Sequence, residues 1–369
     1  MDPKVHVPPQ FRGASSDASR TRAARDGSVW IGPWFLPLAA LWSAILAIRH
    51  FAYDKGLLPS QKGALPTLVV GNAELGGTGK TPHVLDLVLR LQQMLGSGSV
   101  GILSRGYGRS SQEFRWVSDA NVWQDVGDEP WMMQAALPNA AVAVGANRLN
   151  ALERMATERP GLRVVVLDDG LQHRSLRADR TVGLASRTSP PKGWGWARVL
   201  PSGPWRDLPS KLQSCDRVAA TTPKALSWNP DWISHVQALP PQPAWPQAEP
   251  YRENQGPWLL VTGVAQPQRV VDAAVGLGID LAACAHYPDH HAFSPSEANE
   301  WILWMESQNV NGILTTHKDA VRLLPVLPDT LKDRLWVLPI EIRWSSPEHV
   351  DEFLKSWAQT LPSQSNRIF

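Results

Sequence analysis

The stretch Val69-Val70-Gly71-Asn72-Ala73-Glu74-Leu75-Gly76-Gly77-Thr78-Gly79-Lys80-Thr81-Pro82 decides how this chain is read. An apolar β-type run over 65–70 ends in a glycine-rich turn. The turn delivers Lys80 and Thr81 to a helical pattern over 83–95. A strand, a glycine loop and a helix N-terminus make an anion cradle, because backbone N–H groups point at phosphate oxygens and the helix dipole favours negative charge. Gly76, Gly77, Thr78 and Gly79 form the close-approach segment, where glycine lets backbone reach the ligand. The Lys80 ammonium reaches the outer phosphates, and the Thr81 hydroxyl ligates Mg²⁺. One position departs from the G-x-x-x-x-G-K-[ST] spacing: Glu74 stands where the first glycine belongs. A carboxylate beside a triphosphate is repulsive unless it points to solvent.

On the N-terminal side, residues 1–28 are polar, carry Arg12, Arg20, Arg22 and Arg25, and read as a disordered basic extension. Residues 29–48 then run without a charge and hold Trp30, Trp34, Phe35 and Trp42. That length matches the hydrocarbon core of a bilayer, with the aromatic side chains at headgroup level. Gly32, Pro33 and Pro37 weaken the first third as a helix, so a shallow or hairpin-like insertion stands beside a spanning one. We expect a membrane-associated segment over 29–60. ATP use puts the catalytic part on the cytoplasmic face.

On the C-terminal side, strands are expected at 99–103, 141–144, 162–167, 181–185 and 217–221, with a helix at 147–158. The run 162–167 is continuously apolar and rich in valine, the mark of a strand buried on both faces of a parallel sheet. Alternation of strands and helices implies an α/β fold with right-handed crossovers. Proline-rich sequence at 239–250 reads as a linker. A second α/β pattern follows, with strands at 258–262, 281–286, 312–316 and 335–342 and helices at 268–275, 294–308 and 347–361. The expected division is a P-loop domain over 61–225 and a smaller C-terminal α/β domain over 226–369.

Asp168, at the end of the 162–167 run, has the position of a metal-holding carboxylate beyond a strand terminus. Phosphoryl transfer needs positioning, charge neutralisation and a group to receive the acceptor's proton. Candidates for that group are Asp128, Glu129, Asp169, His173, His290, His291 and His317, and spacing alone does not choose among them. Asp289-His290-His291 reads as a polar loop rather than a metal site. Arg105, Arg109, Arg148 and Arg206 each offer the planar donor fork that suits phosphate, and each alone would pass for a surface charge.

The chain has 369 residues and a formal net charge of +2, too small to argue for nucleic acid as a partner. Its only cysteines are Cys215 and Cys284, so no disulfide framework is expected. A P-loop ATPase acting as a membrane-associated switch is the alternative reading. Those of the dimerising partition type carry a lysine immediately before G-G-x-G-K-T, where this chain has Leu75. A soluble kinase for a small metabolite would leave 29–48 unexplained.

Taken in order, several segments resemble the tetraacyldisaccharide 4′-kinase family of lipid A biosynthesis. They are V-G-N-x-x-x-G-G-T-G-K-T-P at 70–82, S-R-G-Y-G-R at 104–109, V-G-D-E-P at 126–130 and L-D-D-G-L-Q-H at 167–173. L-P-S-G-P-W-R at 200–206, Y-P-D-H-H-x-F at 287–293 and T-T-H-K-D at 315–319 complete the set, after an apolar helix ending near Arg49. The resemblance implies two α/β/α domains with a cleft between them and an enzyme at the inner membrane. Its expected reaction moves the γ-phosphate of ATP to the 4′-hydroxyl of an acylated glucosamine disaccharide 1-phosphate, giving lipid IVA. By motif it makes Asp128 the base and His317 its partner. Lys80 and Thr81 would hold phosphates and Mg²⁺, Asp168 and Glu129 would belong to the metal shell, and Arg206 would contact phosphate. Asp169, Gln172 and His173 are supporting residues.

Overall fold

The computed structural model describes residues 33–75, 79–118, 121–185, 199–221, 229–244 and 257–362. The expected disordered extension, the start of the apolar run, and Gly76, Gly77 and Thr78 lie outside them. A 3₁₀ turn, Pro33–Phe35, opens into helix α1, Leu36–Asp54. Then come β1 (Thr67–Asn72), α2 (Lys80–Leu95), β2 (Val100–Ser104), β3 (Arg115–Trp116), α3 (Trp123–Val126) and α4 (Asp128–Ala136). These are followed by β4 (Ala141–Val144), α5 (Arg148–Glu158), β5 (Val164–Asp168), β6 (Arg180–Ala185), α6 (Ser210–Gln213), β7 (Arg217–Thr221) and β8 (Trp232–Ala238). The chain continues through β9 (Gln242–Pro243), β10 (Trp258–Thr262), α7 (Pro267–Gly276), β11 (Leu281–His286), α8 (Pro295–Gln308) and β12 (Gly312–Thr315). It closes with α9 (His317–Leu323), α10 (Asp329–Lys332), β13 (Leu335–Val337), β14 (Ile340–Trp344) and α11 (Pro347–Thr360).

Two compact units divide these elements. One holds Gln237–Glu341; the other holds the described residues up to Val236 and from Ile342 onward. The division therefore falls inside β8 and β14 rather than at the expected 225/226 boundary, and α11 returns to the first-built unit. The amphipathic pattern of α11 explains its place: Val350, Phe353, Leu354 and Trp357 form its buried stripe and join the core under β1, β2 and α2. Part of the expected linker is structured, since Gln242–Pro243 is an edge strand antiparallel to β13. An edge is where a proline, lacking its N–H, is tolerated. The run 335–342 is two strands in two different sheets, because Pro339 interrupts it and cannot donate to a ladder.

The larger unit is built on a nine-stranded sheet in the order β14-β8-β7-β6-β1-β5-β2-β4-β3. From β8 to β4 every pairing is parallel; β3 closes the edge antiparallel to β4. Side chains alternate between two cores. Leu68, Val70, Val100, Ile102, Val164 and Val166 face one, whereas Val69, Leu103, Val165 and Leu167 face the other. With both faces covered, the strands read as unbroken apolar runs, which is why they were visible in sequence. The smaller unit repeats the plan on a five-stranded sheet, β11-β10-β12-β13-β9, again between two cores.

Helix α1 is different. Only Ala39, Ser43 and Leu46 are buried, a stripe one residue wide. Trp34, Leu38, Leu41, Trp42, Ile45 and Ile48 are exposed. The helix is long and apolar enough to cross a membrane. Exposed apolar side chains run along most of its length, the kind of patch that marks an interaction surface.

Candidate phosphate and metal site

Three adjacent strands of the larger unit, β1, β5 and β2, end in Asn72, Asp168 and Ser104. In open parallel sheets ligands sit beyond these carboxyl ends. The parallel register sets Val70 beside Asp168 and Leu103 beside Leu167, so the three polar ends share one edge.

Beyond β1 the chain reaches Gly79, at φ 76° in the left-handed region, and α2 starts at Lys80. Lys80 Nζ donates to Asn72 Oδ1 at 3.4 Å and lies 3.9 Å from Asp169 Oδ2. Arg206 Nη1 donates to Asp169 Oδ2 at 2.9 Å, and Nη2 donates to Asp169 Oδ1, to Asn72 Oδ1 and, at 3.1 Å, to the Asn72 carbonyl. Arg206 is thus no stray surface charge. It locks the end of β1 to the turn after β5. Asp169 itself adopts φ 55°, a conformation that aspartate tolerates better than most side chains. Gln172 Nε2 donates to the same Asn72 carbonyl at 2.9 Å, which gives that motif residue a scaffold role.

Asp168 is buried, with Oδ2 accepting from Ser104 Oγ at 3.2 Å. Its Oδ1 has no hydrogen-bond partner among the described residues. Burial pushes its carboxyl pKa up, the charges of Glu129 and Asp169 push the same way, and Lys80 and Ser104 only partly offset them, leaving it at about 7. A buried carboxylate with an open oxygen and two like charges nearby is a place where a divalent cation lowers the energy. Among the described residues no three His, Cys, Asp or Glu side chains form a closed metal cage. Mg²⁺ does not need one: it binds through one or two carboxylates and fills its octahedron with phosphate oxygens and water. Asp168, Glu129 and Thr81 fit that donor set.

Asp128 and Glu129 open α4 immediately after Gly127, at φ 95°. Asp128 is buried, and its Oδ1 accepts from the Glu129 N–H at 2.9 Å. A Cβ on Gly106 would come within 2.6 Å of the Val126 carbonyl oxygen, and one on Gly127 within 3.1 Å of Gly106 Cα. These two glycines let the S-R-G-Y-G-R and V-G-D-E-P loops touch. In the first loop Arg105 and Tyr107 remain exposed, while Arg109 turns inward and donates to the Glu113 carbonyl at 2.5 Å. Arg148 is also internal. It donates to the carbonyls of Ser104, at 3.1 Å, and Gly145, and burial lowers its pKa to about 10. His173 meets Ser175 Oγ at 3.1 Å, and burial together with Arg148, Arg105 and Arg49 depresses its pKa.

Glu74 does not point to solvent. It is buried, its backbone bridges to Trp205, and the next residue, Leu75, donates its N–H to the Pro204 carbonyl at 2.7 Å. The L-P-S-G-P-W-R motif therefore covers the strand end where the first motif glycine would have been.

His317 belongs to the smaller unit, where it is the first residue of α9, capped by Thr316. The residue is exposed, and the protein around it lowers its pKa by desolvation. Two residues on, the buried Asp319 takes hydrogen bonds from Thr262 and Thr316 and pairs with the buried Arg322. Arg322 also donates to the carbonyls of Gly263 and His291 at 3.1 Å. Lys318 Nζ ties Asp289 Oδ1 at 3.1 Å to His290 Nε2 at 3.0 Å. The Asp289-His290-His291 segment is a hydrogen-bonded loop, as its composition suggested. The structure thus brings Lys80, Asp168, Asp169, Glu129 and Arg206 together in one unit. Asn72 and Ser104, which orient them, had no distinguishing spacing in the sequence; only the V-G-N and S-R-G-Y-G-R motifs pointed there.

A family profile described as LpxK, tetraacyldisaccharide-1-P 4′-kinase, matches residues 31–359. The tetraacyldisaccharide 4′-kinase of Chromobacterium violaceum is 32% identical over 322 residues, covering 85% of this chain and 90% of the relative. That of Polaromonas naphthalenivorans is 32% identical over 345 residues, covering 90% of this chain and 94% of the relative. The fold is similar to that of LpxK from Aquifex aeolicus, solved in complex with ATP. The TM-score is 0.70 at 24% identity, over 87% of this chain and 98% of that one.

Proposed function

The chain belongs to the tetraacyldisaccharide-1-P 4′-kinase family, and from that premise we propose that it moves the γ-phosphate of ATP to the 4′-hydroxyl of an acylated glucosamine disaccharide 1-phosphate. The product is lipid IVA, a step of lipid A biosynthesis. The observation that carries this reading is the site itself: Lys80 at the start of α2, its charge acting on the buried Asp168, whose Oδ1 is open at the carboxyl end of a parallel strand.

Each residue has a task in that reaction. The backbone of 76–79 cradles the β- and γ-phosphates. Lys80 leaves Asn72 and Asp169 for the phosphates, and Arg206 keeps Asp169 from following it. Thr81, Asp168 and Glu129 would hold Mg²⁺, which would supply charge neutralisation for the transferring phosphate. Asp128 takes the proton of the 4′-hydroxyl as the bond to phosphorus forms. Helix α1 keeps the enzyme at the cytoplasmic face of the inner membrane, where the acyl chains of the acceptor stay in the bilayer.

Incubation with ATP, Mg²⁺ and an acylated disaccharide 1-phosphate tests this. The acceptor should gain the mass of one phosphate, at the 4′ position. ATP consumption with the acceptor unchanged would favour the ATPase switch instead.

A further inference from the structure

His83 lies in the first turn of α2, four residues after Gly79, on the face that buries Val84, Leu87, Val88 and Leu91. Its ring has no solvent exposure. An imidazole at such a place costs more than an apolar side chain unless both nitrogens are satisfied. Nδ1 lies 2.7 Å from the Gly79 carbonyl oxygen, and Nε2 lies 2.9 Å from Ser234 Oγ. A carbonyl only accepts, so Nδ1 carries the hydrogen. Among the described residues no carboxylate bonds the ring, and an unpaired buried charge is costly, so the ring is neutral. A neutral ring has a single donor, and Nε2 therefore accepts from the Ser234 hydroxyl. Ser234 Oγ lies 3.1 Å from Thr221 Oγ1 and, with its own proton committed, accepts from it. The tautomer of His83 is set from β7 and β8 inward. Trp344 stands edge-on to the ring at 5.2 Å and limits its rotation.

The acceptor at the end of this chain is the carbonyl that opens α2. The backbone bond from the His83 N–H to it is long, 3.4 Å, so the ring bond holds it more closely. Gly79 is the N-cap, lies in the left-handed region and has no side-chain cap. Lys80 and Thr81 are the next two residues.

We propose that His83 is a positioning residue for nucleotide: its Nδ1–H, tethered through Ser234, fixes the Gly79 carbonyl and so aims the Gly79-Lys80-Thr81 turn at the phosphates. This role rests on the nucleotide reading of the turn.

The test compares the full-length H83A, H83N, H83Q and S234A variants with the native enzyme. An asparagine amide nitrogen occupies nearly the place of Nδ1 and restores the donor to Gly79; a glutamine nitrogen reaches the place of Nε2 and does not. Without the ring donor the Gly79 carbonyl keeps only the long backbone bond from residue 83, so KM for ATP in H83A and H83Q should rise about tenfold. Their kcat and their KM for the lipid acceptor should stay within about threefold, since the chemical step is untouched. H83N should return KM for ATP close to native although it leaves a larger void than H83Q does. S234A should raise it less than H83A. If KM for ATP instead follows Tm across the four variants, or does not change, His83 only packs and the inference is wrong. Should H83A not fold, the H83N and H83Q pair still decides. Imidazole ¹⁵N shifts of the native protein give an independent reading: a ring protonated on Nε2 at neutral pH overturns the inference even in an active kinase. A native protein that binds no ATP but shows Nδ1–H would overturn the kinase reading alone.

Discussion

His50, near the end of α1, points Nε2 at Asp207 Oδ1 across 2.6 Å, and this bond fixes the apolar helix to the larger unit. Asp207 has no exposure; its other oxygen has no partner among the described residues. Burial would raise its pKa, but the hydrogen bond and charge of His50, the Leu208 N–H and Lys211 outweigh that and hold it low. The neighbouring residues extend the joint. Arg49 donates to the Gln172 carbonyl at 2.8 Å, and the N–H groups of Arg206 and Asp207 both donate to the Ala73 carbonyl.

Helix α1 is therefore part of the folded unit and not a detachable tag. In H50A the Asp207 carboxylate keeps its burial and loses its side-chain partner, retaining the Leu208 N–H, which costs about 3 kcal/mol. Thermal unfolding in one detergent should show a clear fall in Tm for H50A, and H50A combined with D207N should recover much of it. Equal Tm values for H50A and the native protein would contradict the coupling.

Arg206 and Asp169 are each partly exposed, so their ion pair adds little to stability. Its value is geometric, because one guanidinium serves Asp169 and Asn72 together. R206K keeps the charge and loses the fork. We expect kcat/KM for ATP to fall about tenfold or more, with the unfolding free energy changed by less than about 1 kcal/mol. Steady-state kinetics with ATP varied, set beside a urea melt, checks both halves.

What was legible in sequence follows from how each element is buried. Strands β4, β7, β10 and β11 lie on the expected residues because a strand covered on both faces has no polar alternation to blur it. Strand β8 passed unnoticed: Trp-Ile-Ser-His-Val-Gln-Ala has exposed positions and a polar interior member, Ser234. The pattern of α11 announced a buried face without saying which core it would meet. In the candidate site, spaced motifs pointed to residues that the fold brings to one sheet edge, as Lys80 and Asp168 show. His83 was not, since a histidine in the apolar stripe of a helix has no spacing signature and takes its meaning from Ser234, far along the chain.

In the proposed reaction Lys80 and Asp128 serve different steps, so their variants should fail differently. K80A removes a positioned charge from the phosphates and should lower phosphoryl transfer by about 10²-fold or more. D128N removes the proton acceptor; its kcat should fall by about 10²- to 10⁴-fold while ATP affinity stays near native. Isothermal titration with ATP beside single-turnover assays separates the two. A D128N enzyme that loses ATP affinity in step with turnover would make Asp128 a binding group.

Stability should depend on pH through His83 in a direction that its burial dictates. The folded ring has a pKa of about 4 against 6.5 for the exposed side chain. Between those values the unfolded chain binds the proton that the folded one refuses, so stability falls as pH drops from 6.5 toward 4. The full loss is on the order of 3 kcal/mol. Asp86, the next turn along α2, is the charge that favours protonation, whereas Ser234, Thr221 and Trp344 on the facing strands are neutral. Asp168, whose pKa is raised to about 7, works in the opposite sense over the same range, because the folded state holds its proton. The measurement is therefore a difference: urea melts of native protein and H83N at pH 7.0 and 4.5. The native protein should lose more stability between the two than H83N does. Parallel losses would mean that the ring is protonated in the fold and that Nε2 does not accept from Ser234.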